Sequence, residues 1–152
     1  MTTLHDTDFY SWTLEQARYL RRVADQRLNA PPELDWLELA QEVEDLGRSL
    51  ERELYSRFSV LLAHLLKWRH QPSFRGTSRE LTIAHQRLEL GRLLARNPGL
   101  KAKADAEFAD AYRAARLLAA RETGLALAAF PARCPFTREQ ALSDTFLPEA
   151  KP

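Results

Sequence analysis

DWLELAQEVEDLGRSLERELYSRFSVLLAHLLKWRH, residues 35–70, contains no proline and one glycine, Gly47. Within it Leu39, Val43, Leu46, Leu50, Leu54, Phe58, Leu61, Leu65 and Trp68 recur at steps of three and four, which draws one apolar stripe along a helix. Asp35 stands where a carboxylate can accept the backbone N–H of Glu38, so the helix is expected to start there and to run to about His70. At 1.5 Å per residue that is about 50 Å. A stripe of this length must be covered by other elements. An isolated glycine costs about 1 kcal/mol against alanine in a helix, and close approach of a second helix accounts for Gly47.

Outside this segment the prolines fall between periodic stretches and no β-branched residues alternate with polar ones over a strand length, so the chain reads as all-α. A first helix is expected after Thr13, with Gln16 completing a capping box, ending before "NAPPE" at residues 29–33. Thr77 and Glu80 predict another to about Asn97. This third helix carries two stripes. Leu81, Ala84, Leu88, Gly91 and Ala95 form a complete face, while Ile83, Leu90 and Leu94 lie nearly opposite and are expected to form an interface with another chain. An alanine-rich helix follows from Leu100 to about Arg121, closed by Gly124. Thr137 and Gln140 cap a short helix in a proline-broken tail. The expected architecture is a single domain over residues 1–152, an antiparallel helical bundle of four main helices with a C-terminal short helix and tail.

A 152-residue chain with 45% hydrophobic and 28% charged residues matches a globular domain with one core. No apolar run approaches the roughly 20 residues of a membrane helix, and the first residues lack the basic start and apolar centre of a secretory signal. A cytoplasmic chain with no membrane partner is expected. Its one cysteine, Cys134, excludes an internal disulfide and a multi-cysteine zinc site. A net charge of +1 argues against a dedicated nucleic-acid binder.

The candidate chemistry gathers at the end of the long helix, in "HLLKWRHQPSFRGTSRE", residues 64–80. Residues 33–53 hold eight acids whereas 54–71 hold none beside Arg57, Lys67 and Arg69, so the helix is polarised as its dipole favours. His64 falls at the edge of the stripe and Lys67 further out. Arg57 and His64 are seven apart and share a face, with Trp68 continuing the row. That spacing is similar to the arginine–histidine motif of the helical "higher eukaryotes and prokaryotes nucleotide-binding" ribonucleases, which implies His64 as acid–base and Arg57 as phosphate holder. Phe58 departs from the polar residue that usually follows the arginine, and the less aligned pair Arg79 and His85 carries Glu80 there. His64 and His70 are six apart and no carboxylate lies between Glu53 and Glu80, so no metal site and no cofactor are expected. Residues His5 to Asp8 read as caps or turns, and Cys134 as a small buried hydrophobe.

Read in order, "DFYSW" at 8–12, "DWLELAQEVEDLGRS" at 35–49, "HLLKW" at 64–68, "NP" at 97–98, "AYRAARLLAARETGL" at 111–125 and "FPARCPFTREQALSDTFLP" at 130–148 resemble the bacterial "domain of unknown function 29" family. The resemblance implies an all-helical protein without an assigned activity, whose polar residues include Glu42, Arg48, His64 and Lys67. The function expected is that of a helical interaction module that pairs with itself or with another protein. The alternative is a metal-independent ribonuclease-like or phosphate-binding domain using Arg57, His64 and Lys67. Glu42, Arg48 and Trp68 are further candidate binding residues.

Overall fold

The computed structural model describes residues 1–26 and 31–150. They form α1 (Leu4–Thr7), α2 (Phe9–Gln26), α3 (Trp36–His70), α4 (Thr77–Arg96), α5 (Lys101–Thr123) and α6 (Arg138–Leu142), with no strand among the described residues. This is an all-α bundle of four main helices with a short sixth helix and tail. The expected exit of the first helix before Asn29 falls on residues 27–30, outside the described ones.

The long segment is one helix, as its spacing requires. Asp35 accepts the Glu38 N–H at 3.0 Å, and the other three main helices pack on α3. Tyr10 donates its hydroxyl to Glu51 at 2.8 Å, and Arg21 pairs with Glu44. Rising numbers on α2 thus meet falling numbers on α3, so α2 runs antiparallel to the first half of α3. The second half is flanked by α4, antiparallel through Arg57 and Gln86 at 3.3 Å, and by α5, which runs parallel from Lys103 at Glu51 to Glu122 at Lys67. The core lies here, around Phe58, Leu61, Leu65, Ile83, Leu100 and Phe108. Residues 36–50 with α2 form a two-helix arm beyond it.

Gly47 is the crossing point. A Cβ there would stand 2.5 Å from the Thr13 hydroxyl and 3.7 Å from the Tyr10 ring, so the close approach read from the glycine is real. Thr13 is therefore no cap. It is buried and donates to the Tyr10 carbonyl at 2.6 Å, because Asp8 has already started the helix by accepting the Ser11 N–H at 3.1 Å. Thr77 is likewise inside α4, whose cap is Gly76. The capping box of Thr137 and Gln140 and the left-handed Gly124 at φ 74° are as expected.

The faces of α4 are reversed from the sequence expectation. Ile83 and Leu90 are buried in the core and Leu94 packs against it, so these three residues form no free interface. Leu81 and Leu88 are 62% and 59% exposed, and Ala84, Gly91 and Ala95 beside them are exposed too. The reason is Arg87, which shares the inner face. Its Nε donates to the Ala141 carbonyl at 2.7 Å and its Nη2 to Phe146 at 2.6 Å, clamping α6 and the tail onto α4. The α3 stripe is also interrupted: Leu39 and Leu46 are 40% and 47% exposed, since α4 ends before reaching them.

Candidate functional site

The end of α3 gathers His64, Lys67, Arg79 and Glu122 from three helices. Lys67 is buried rather than turned outward, and its Nζ lies 2.6 Å from Glu122 Oε2. That hydrogen bond holds the Glu122 carboxyl below the usual carboxylate range. His64 is half-buried, and its Nδ1 is shut from water without a hydrogen-bond partner among the described residues. Burial, then the Lys67 charge, push the His64 imidazolium below its ordinary value. The Arg79 guanidinium adds to this shift, opposed by Glu122.

Arg79 and Arg75 also hold the backbone at the end of α3. Arg79 donates to the Lys67 carbonyl at 3.3 Å and to Gln71 Oε1 at 2.9 Å. Arg75 donates to the Trp68 carbonyl at 2.9 Å and lies 5.1 Å over the Trp68 ring, which is itself buried. Orphan carbonyls at a helix C-terminus favour such cations.

Arg57 is engaged elsewhere. It meets Glu53 at 3.0 Å, Gln86 at 3.3 Å and Glu89 at 3.7 Å, tying α3 to α4 with two carboxylates against one guanidinium. About two turns separate it from His64, and the groups around the two are different. His85 is exposed on the outer side of α4. Arg48 pairs with Glu44 at 2.9 Å and Asp45 at 3.7 Å. Glu42 is exposed, with no hydrogen bond or ion pair among the described residues. The Cys134 thiol is pushed up by burial and is a poor thiolate source.

A polar junction escaped the sequence reading. Buried Asn97 accepts the Tyr10 N–H through Oδ1 at 3.1 Å and donates through Nδ2 to the Leu93 carbonyl at 2.9 Å. Asp8 Oδ2 accepts the Gly99 N–H at 2.8 Å. A Cβ on Gly99 would stand 2.2 Å from Ser11 Oγ, so a larger residue there would displace Ser11. Thus "DFYSW" and "NPG" are one joint, locking the start of α2 to the α4–α5 turn. Asp6 completes a capping box with Thr3, which bears out the capping role read for this stretch.

The His64 environment predicts a pH dependence. In the unfolded chain His64 protonates near its ordinary 6.5, while in the folded chain it resists. Its depressed value therefore gives full stability above 6.5, lost progressively as pH falls below that value. Glu122 acts in the same direction only at lower pH, below its ordinary 4.5. Thermal melts from about pH 7.5 to about pH 5 are expected to show falling Tm in the native chain and a flatter profile in His64→Gln.

The family described as domain of unknown function DUF29 matches residues 4–147. A solved alpha-helical protein of unknown function from Rhodospirillum rubrum ATCC 11170 is similar at 26% identity and a TM-score of 0.67, over 96% of this chain and 92% of that one. No curated protein matches.

Proposed function

We propose, for a chain that belongs to the family of domain of unknown function DUF29, a cytoplasmic helical module that works by binding protein partners. The observation carrying this reading is the outer row of α4. Leu81, Ala84, Leu88, Gly91 and Ala95 alternate steps of three and four, the spacing of a helix-packing seam. Leu81 and Leu88 are largely exposed, and the small residues between them let another helix backbone come close. The row is a seat for an amphipathic partner helix.

The test is a photo-cross-linking residue at position 88 in cells that make the protein. One product of defined mass is expected, lost on Leu81→Gln, while the same probe at exposed Arg52 gives none. Position 88 yielding no product, or the products of position 52, overturns the reading. Because Leu81 is on the surface, Leu81→Gln should change stability by no more than about 0.5 kcal/mol.

The phosphate-binding alternative keeps one supporting observation, the convergence of His64, Lys67 and Arg79 at one end of the bundle. Its measure is inorganic phosphate or RNA binding that His64→Ala abolishes without unfolding the chain. Loss of stability alone would mark His64 as structural.

A further inference from the structure

The two-helix arm has an apolar side that nothing among the described residues fully covers. On α3, Leu39, Val43, Leu46 and Leu50 follow steps of four, three and four, continuing the side that α4 covers further along. On α2, Phe9, Leu20 and Val23 are only half-buried. Phe9 and Leu50 line the same cleft, and the helices run antiparallel from there, so the two rows lie side by side. The buried seam of the arm, Tyr10, Thr13 and Ala17 against Ala40 and Gly47, is separate.

From these rows we infer that two copies of this chain pair through their arms, antiparallel, to complete a four-helix bundle. Charge selects a second copy as the occupant. The outer end of α3 is acidic at Asp35, Glu38 and Glu42, while in the cleft beside Leu50 at the inner end Glu53 and Glu89 are met by Arg57 and Arg92, which leaves Arg96 of α4 as the cation there without an ion pair among the described residues. An antiparallel two-fold places the acidic α3 tip of each copy at Arg96 of the other. Glu42 and Arg96 are both exposed, and neither has an ion-pair partner among the described residues.

The area agrees with a reversible dimer. A face of about 18 residues' length, roughly 27 Å, and two helices' width, roughly 20 Å, covers about 500 Å². Doubled, that is about 1,000 Å², the lower end for specific interfaces. The inference rests on reading the chain as an interaction module and adds a second partner surface, distinct from the α4 row.

Sedimentation equilibrium of the full chain tests it. The native protein should show a concentration-dependent monomer–dimer equilibrium. Leu46→Asp, at a half-exposed site, should weaken it by about 100-fold or more with the thermal melt retained. Glu42→Arg and Arg96→Glu should each weaken it about tenfold by opposing like charges. An equimolar mixture of those two variants should recover a heterodimer, in which both pairings become opposite in sign. A chain that stays monomeric, or a dimer indifferent to Leu46→Asp, overturns the inference. A dimer lost instead on Leu88→Gln would do so while leaving the broader reading standing.

Discussion

Replacing Arg87 with methionine is expected to destabilise the fold by about 3–5 kcal/mol and to release the chain from Ala141 onward. Methionine fills much of the volume of the arginine stem, so the lost energy is polar. The guanidinium gives charge-assisted hydrogen bonds to the carbonyls of Ala141 and Phe146, each worth about 1.5–3 kcal/mol. Both carbonyls would lose their donor. Burial already pushes Arg87 below its ordinary value, so charge is held there against desolvation by these bonds and by Asp144. For a domain this size the melting temperature should fall by about 10 °C. Faster tryptic cleavage at Arg138 would report release of α6. An unchanged melt with unchanged cleavage would show that the tail is held without Arg87, by Phe136 and Phe146 packing and the Arg75 bond to the Pro148 carbonyl.

The second large effect is expected at the joint. Asn97→Ala leaves the Tyr10 N–H buried without an acceptor and removes a donor from the Leu93 carbonyl, at a cost of about 2–3 kcal/mol. The damage should be regional, because α2 packs chiefly on α3 and on this turn. Hydrogen exchange should quicken across residues 4–26 while the Phe58 and Leu61 turns of α3 stay protected. Gly99→Ala should act the same way by pressing a methyl group onto Ser11. Uniform quickening across α3, α4 and α5 would contradict a local joint.

Features set by near neighbours are legible in the amino-acid sequence alone. Asp35 with Glu38, Thr137 with Gln140 and Gly124 each act within one turn, and Gly47 marks its crossing partner through the missing side chain. Thr13 and Thr77 show where the same logic fails. Each stands three residues before a Gln or Glu, yet Asp8 and Gly76 have already opened those helices.

The faces of α4 are not legible in this way, because a helical wheel assigns every arginine to water. Arg87 finds its acceptors 54 and 59 residues away, and Lys67 finds Glu122 at a separation of 55. Both charged side chains are therefore buried where periodicity would put them outside. The joint between Tyr10 and Asn97 spans 87 residues, beyond any local pattern. For function, spacing along α3 singles out His64, Arg57 and Lys67 as candidates. The fold gathers His64 and Lys67 with Glu122 and gives Arg57 to Glu53 and Glu89 instead.

The central claim, that exposed leucines in register are contact surfaces, is tested most directly by hydroxyl-radical footprinting of the purified chain at low and high concentration. Leu39 and Leu46 should lose reactivity as concentration rises, while Leu125 and Leu127, which are 38% and 40% exposed in the loop after α5, keep theirs. Equal reactivity of all four at both concentrations would contradict the pairing of arms.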